Sequence, residues 1–152
     1  MRARDSTVQV SRHAQASPET LFRLLDAAKD WPKWSIVGSV KFDHAEDRTR
    51  QLVGAHRRFK TGLMVLDERI VVREPGRRID YALLRGLPLE RYVGSIALDP
   101  TQEGTLLRWS ATFSSRGFGS AWFWRGAIWL ILWRMSRDAV HEAEKIEASW
   151  GR

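Results

Sequence analysis

Between residues 36 and 116 the chain breaks into short runs rich in Val, Ile, Leu and aromatic residues, punctuated by Gly, Pro and charged residues. That punctuation constrains the fold most. Strands are expected at 36–44, 49–60, 63–74, 78–85, 90–99 and 104–115. The turns between them fall at Asp43–Asp47, Thr61-Gly62, Pro75-Gly76, Gly86–Pro88 and Pro100–Gly104. None of these connections is long enough to hold a crossover helix, so successive strands must pair antiparallel as a meander of hairpins.

A seventh strand precedes them. Residues 7–14 alternate apolar and polar, with Val8 and Val10 on one face. Ser17 then reads as a helix N-cap, with Pro18 in the first helical position and Glu19 at the positive end of the helix dipole. Leu21, Leu24, Leu25 and Ala28 give that helix its apolar stripe, and it should end near Lys29. Trp31-Pro-Lys-Trp34 follows as a tight turn or short second helix, a lid over the core with two indoles three residues apart.

Residues 119–149 form one long helical pattern without Pro. At 100° per residue Trp122, Gly126, Trp129, Trp133 and Val140 fall within about 40° of one line, which is expected to face the sheet. The second half is amphipathic, with Arg134, Arg137, His141, Glu142, Lys145 and Glu147 opposite that line. The first half is apolar nearly all round, and Phe123, Trp124, Leu130 and Ile131 are expected to face away from the sheet. A buried helix, a homodimer surface and a shallow membrane contact are all open readings of that patch. A transmembrane span is not expected, because Arg125 and the flanking arginines cut the run short of about 20 apolar residues.

Composition excludes several classes. The chain has no cysteine, so disulfides, thiolate metal sites and cysteine nucleophiles are excluded together, and a reducing cytoplasm is the expected setting. The start leads into polar residues without a signal-peptide core. One domain is expected over 1–152, long enough to bury about two-thirds of its unfolded surface. The net charge of +7 invites a nucleic-acid reading. However, the excess sits in residues 1–60, with 12 basic against 7 acidic residues interleaved, and the densest basic cluster, around His56-Arg57-Arg58, lies in a strand. That distribution argues against a nucleic-acid partner. The histidines at 13, 44, 56 and 141 have no ligand spacing, and no metal or cofactor is expected.

The order of elements and six short motifs together resemble one superfamily. The motif residues are Ala16-Ser-Pro-Glu-Thr-Leu-Phe22, Trp31-Pro-Lys-Trp34, Val53-Gly-Ala-His-Arg57, Glu68-Arg-Ile70 with Glu74-Pro-Gly-Arg-Arg-Ile-Asp-Tyr81, Tyr92-Val-Gly-Ser-Ile96, and Gly104-Thr-Leu-Leu-Arg-Trp109. The chain resembles the START-like, or SRPBCC, superfamily, and within it the branch of polyketide cyclases, dehydrases and lipid-transport proteins. The resemblance implies an α+β, Bet v 1-like helix-grip fold: a seven-stranded antiparallel sheet wrapped around a long C-terminal helix, with two short helices after the first strand. It also implies a cavity between sheet and helix, used by similar proteins for lipids, polyketides, plant hormones or quinones.

Strand alternation assigns the faces. Thr105, Leu107, Trp109, Ala111 and Phe113 point inward together, as do Ile79, Tyr81 and Leu83, then Tyr92, Gly94, Ile96 and Leu98, then Ala55, Arg57 and Phe59. On 63–74 the inward set is Met64, Leu66, Glu68, Ile70 and Val72. Arg57 and Glu68 therefore stand inside, either paired with each other or meeting a polar part of a ligand. A one-residue bulge would exchange Arg57 for Arg58. The ligand-binding candidates are Trp34, Arg57, Phe59, Glu68, Tyr81, Tyr92, Trp109, Phe113, Trp122, Trp129 and Trp133, of which the aromatics either line the space or fill it. Gly94 and Gly126 would leave it room.

No nucleophile with its base, metal set or phosphate loop is present, so a carrier or binding protein for a hydrophobic small molecule is the first functional reading. A polyketide cyclase or dehydratase is the alternative, since aldol closure of a poly-keto chain needs only a shaped cavity and one or two polarising groups. Arg57, Glu68 and Tyr81 are the catalytic candidates for that chemistry. A protein- or membrane-interaction module is a third.

Overall fold

The computed structural model describes residues 5–43, 52–115 and 119–151. Strand β1 (Asp5–Ala14) leads to helix α1 (Pro18–Asp26), a 3-10 helix (Ala28–Lys33) and strand β2 (Ser39–Asp43). Then come β3 (His56–Thr61), β4 (Met64–Glu74), β5 (Arg78–Arg85), β6 (Leu89–Pro100), β7 (Thr105–Ser115) and helix α2 (Ser120–Trp150). The strands form one antiparallel sheet in the order β1-β7-β6-β5-β4-β3-β2, so the meander runs from β2 to β7 and the N-terminal strand adds onto its far edge. The expected strands at 36–44 and 49–60 are shorter here, and the turn residues 44–47 and the histidine at 44 lie outside the described residues.

Local chemistry sets the helix boundaries. The Thr20 amide donates to the Ser17 side-chain oxygen at 3.2 Å, and Pro18 opens α1. The Ser17 amide donates to the Glu147 carboxylate near the end of α2, at 2.8 Å to one oxygen, which ties the two helices together. Helix α1 stops at Asp26, short of the expected Lys29, and the chain tightens into the 3-10 helix that contains Pro32. That 3-10 helix is the short second helix expected there, and it carries Trp31 into the core. Trp31 is 3% exposed, its Nε1 donates to the Leu25 carbonyl at 3.1 Å, and its ring stacks on Phe59 with centroids 5.1 Å apart.

Inward alternation holds on β7, where Thr105, Leu107, Trp109, Ala111 and Phe113 are all buried. It fails along β4. Between Ile70 and Val72 the register slips, with Ile70 opposite Tyr81 but Val72 opposite Asp80. This bulge changes which side chains reach α1. In place of the expected Val72, Arg73 meets α1, donating from Nε and Nη2 to the Asp26 carboxylate at 3.0 and 2.8 Å.

Helix α2 packs against β1, β7 and α1, and of the expected line only Val140 is buried. Its buried residues are Ile128, Leu132, Met135, Ser136, Ala139, Val140 and Ala143. That stripe lies roughly a quarter turn from the line of Trp122, Gly126, Trp129 and Trp133. The reason is steric. Ser136, Ala139 and Ala143 let the helix axis approach the sheet, whereas three indoles on that line would hold it away. Trp122 and Trp129 are consequently exposed, and Trp133 is half-buried at the flank, with the Arg12 and Arg137 guanidinium carbons each 5.6 Å from its ring centroid.

Candidate functional site: an apolar cavity with one charged wall

The concave face of the sheet and the N-terminal half of α2 enclose a cavity of about 100 Å³. Arg57 and Phe59 of β3, Glu68 of β4, Tyr81 of β5, Tyr92 of β6 and Trp109 of β7 border it from the sheet. Trp31 borders it from the 3-10 helix, and Ile128, Ile131, Leu132 and Met135 from α2. The helix side is thus aliphatic and the sheet side aromatic and polar. At the rim stand Ile36 and Met64, 40% and 37% exposed.

Arg57 and Glu68 lie directly opposite each other on β3 and β4. Both Nε and Nη2 of Arg57 meet Glu68 Oε1, at 2.9 and 2.8 Å. The guanidinium carbon is also 4.7 Å from the Phe59 and Tyr81 ring centroids and 5.1 Å from that of Trp31. Removing each ion from water costs several kcal/mol, which an ion pair alone does not reliably offset. A desolvated cation over an aromatic face is worth about 2 kcal/mol, so three such rings and two hydrogen bonds bring the sum close to balance. Burial pushes the Glu68 carboxyl above its ordinary range, and Arg57 opposes part of that push.

Beside this pair, Tyr81 Oη accepts a hydrogen bond from Trp109 Nε1 at 2.9 Å. Burial, then the nearby Glu68 charge, pushes the Tyr81 phenol up to about 12. Burial raises the Tyr92 phenol well above its ordinary value too, helped by Tyr81 and Glu68. Both phenols are therefore neutral hydrogen-bonding groups at neutral pH. Gly94, opposite Tyr81 on β6, makes this packing possible. A Cβ there would lie 2.1 Å from the Tyr81 ring, so its missing side chain makes way for a phenol and does not enlarge the cavity.

Of the candidates drawn from sequence, Arg57, Phe59, Glu68, Tyr81, Tyr92 and Trp109 come together around the cavity. Arg58 points outward to Asp67, so no bulge exchanges it for Arg57. Phe113 is buried behind Tyr92, ring against ring at 6.2 Å, and belongs to the core. Trp34 packs half-buried against the core with its Nε1 unpartnered among the described residues, and Trp31 holds the cavity position in its place. Trp122, Trp129 and Trp133 stand away from the cavity because α2 is turned, and Gly126 faces open space with them. The α2 residues that do border the cavity were legible as the apolar i, i+4, i+7 set Ile128, Leu132 and Met135, running into Ala139. Among the described residues no group of three His, Asp or Glu side chains is placed to hold a metal ion.

An antiparallel sheet that grips a long C-terminal helix around an apolar cavity defines a helix-grip protein. The sequence matches the family described as polyketide cyclase / dehydrase and lipid transport over residues 5–140, and the chain belongs to that family. Solved structures agree on the fold. StfQ, a di-domain ARO/CYC from the steffimycin biosynthetic pathway, superposes with a TM-score of 0.80 at 16% identity, over 95% of this chain and 52% of that one, so this chain spans about half its length. XoxI from Bacillus cereus gives 0.74 at 17% identity, covering 94% and 97% of the two chains. Major latex-like protein 151 from Panax ginseng gives 0.73 at 13%, covering 91% and 97%. No curated protein sequence matches the chain. No helix among the described residues is long and apolar enough to cross a membrane.

Proposed function

We propose that the chain binds a hydrophobic small molecule, lipid-like or polyketide-like, in the cavity between sheet and α2, with a carbonyl or hydroxyl of the ligand meeting Tyr92 and Tyr81. The observation that carries this reading is the pair of neutral phenols, Tyr81 buried and Tyr92 partly buried, beside the ion-paired Arg57 and Glu68 on the wall of a mostly apolar space. They offer hydrogen bonds without requiring a charge to be desolvated when the ligand enters.

The cavity must widen to work. Its volume of about 100 Å³ compares with roughly 300 Å³ or more for a drug-sized ligand. Ile36 and Met64 are the most exposed residues bordering the cavity, so entry is expected there, with Ile131 displaced on the α2 side. Arg57 is engaged by Glu68 and by aromatic faces, so in this state it holds the wall together and does not present a free cation.

The test is direct. The purified protein is denatured, extracted with organic solvent and the extract examined by mass spectrometry. In parallel, thermal shifts are measured with palmitate, ubiquinone and an aromatic polyketide. An apolar compound recovered in stoichiometric amount, or a rise in Tm that Tyr92→Phe reduces, supports the proposal. Absence of both overturns it. Cyclase activity on a poly-keto thioester, the second reading, is favoured by the same phenols beside Glu68, since these could polarise a carbonyl and relay a proton. Turnover that Glu68→Gln abolishes while thermal stability stays measurable would favour it over simple binding.

A further inference from the structure

The outward face of α2 carries a feature that ligand binding does not use. Phe123 and Leu130 are exposed, as expected from sequence, but Trp124 and Ile131 turn back and pack against the core. The turn of the helix instead brings Trp122 and Trp129 outward, at 74% and 46% exposure, beside Phe123 at 55% and Leu130 at 58%. These four residues stand at i−4, i+3, i−3 and i+4 from Gly126, so they surround it on the helix surface. A Cβ at Gly126 would meet nothing within 4 Å. The result is a hollow, floored by backbone and walled by four large apolar side chains.

We infer that this hollow is the contact point of a homodimer, in which a second copy of the chain crosses α2 at Gly126. A twofold axis there makes the surface self-complementary. With antiparallel helices, Trp122 faces the partner's Leu130 and Phe123 faces the partner's Trp129, while the two glycines let the backbones approach closely. The four side chains expose on the order of 500 Å² per copy. Two copies therefore bury about 1,000 Å², the lower end of a specific interface, which sets the expectation of a reversible, modest-affinity dimer. The patch is short, running only from Trp122 to Leu130, and that length matches one helix crossing. A helix lying on a lipid surface would carry a Lys- and Arg-rich face opposite its apolar one, whereas the opposite face of α2 is packed on the sheet.

Analytical ultracentrifugation of the full chain over a concentration series tests this. The wild type is expected to dimerise reversibly in the micromolar range. Gly126→Gln fills the hollow and should weaken the dimer about tenfold or more. Its Tm as a monomer should hold or rise, because glycine is a poor helix former and the site is open in the monomer. A loss of folding would thus be visible separately. Because the chain has no cysteine, Gly126→Cys should oxidise to a covalent dimer, while Lys145→Cys, on the exposed side of the distal half, should not. A wild type that is monomeric throughout overturns the proposal. So does a Gly126→Gln variant that dimerises like the wild type. Flotation of a monomeric wild type with phosphatidylcholine–phosphatidylglycerol vesicles would also overturn it and assign the patch to a membrane.

Discussion

Two ion pairs on neighbouring positions of the same strands show how little a contact distance says by itself. Arg57–Glu68 and Arg58–Asp67 are each directly cross-strand on β3 and β4, with hydrogen bonds of 2.9 Å and 2.6 Å from the arginine Nε. Alternation turns the first into the cavity wall and the second to solvent, with side-chain exposures of 1% and 7% against 51% and 21%. The carboxyls respond in opposite directions. Burial raises Glu68 despite its arginine, whereas at Asp67 the hydrogen bond from Arg58 outweighs the opposing desolvation and lowers the carboxyl. The solvent around a pair, more than its geometry, decides what it contributes.

Breaking the inner pair should have the largest effect. Arg57→Ala leaves Glu68 buried without its cation and should lower the unfolding free energy by about 3–5 kcal/mol in urea titrations, while Arg57→Met with Glu68→Leu together should recover most of that loss. A single-variant loss below about 1 kcal/mol would mean that the inner pair behaves like the outer one.

The phenols sharpen the comparison further. The chain has only two tyrosines, Tyr81 and Tyr92, so tyrosinate absorbance reports on the cavity wall alone. The folded-state value of Tyr81 is raised, so its contribution is fully present below the unfolded value and is lost as pH climbs through about 12. That loss amounts to about 2–3 kcal/mol. Little tyrosinate signal is expected near pH 10–11, followed by a steep rise that coincides with unfolding by circular dichroism. A gradual rise centred on the ordinary value would show solvent on the wall.

Asp67→Asn should do least, costing about 1 kcal/mol or less, and less still in high salt. Asp67 has a lowered folded value, so the small stabilisation is present above its ordinary value of 3.8 and disappears as pH falls through the depressed one. The difference between wild type and Asp67→Asn should therefore vanish in acid.

Where side chains obey a two-residue period, the sequence foretold their faces. Arg57, Phe59, Tyr81, Tyr92 and Trp109 could be placed on the inner face from alternation alone, because one slip would have reversed whole strands. The bulge at Val71 was not legible, since nothing in the apolar run from Ile70 to Val72 marks the extra residue, and so the Arg73–Asp26 contact went unforeseen. The face of α2 was misread for a different reason. Hydropathy weights tryptophan as core, but close helix–sheet packing selects small side chains, and Ser136, Ala139 and Ala143 outranked Trp122, Trp129 and Trp133. Of the two indoles in the Trp31–Trp34 turn, the sequence reading put Trp34 among the cavity candidates, whereas the structure buries Trp31. The partner for Nε1 at the Leu25 carbonyl, available only once α1 had ended, settled which of them went in.

The strand order has a consequence for how the molecule comes to exist. Hairpins from β3 to β7 join residues close in the chain and can form as soon as each is made. The strand made first, β1, has to wait for β7, because Asp5 pairs with Ser114 and Ala14 with Thr105. Helix α2 in turn docks largely on β1. During synthesis, then, the sheet's hairpins are assembled with their greasy side uncovered, and the helix that covers it is made after every strand. Closing so distant a pairing is slow in entropy terms, and the interval before it closes is when the unfinished chain is most exposed to aggregation or to chaperones.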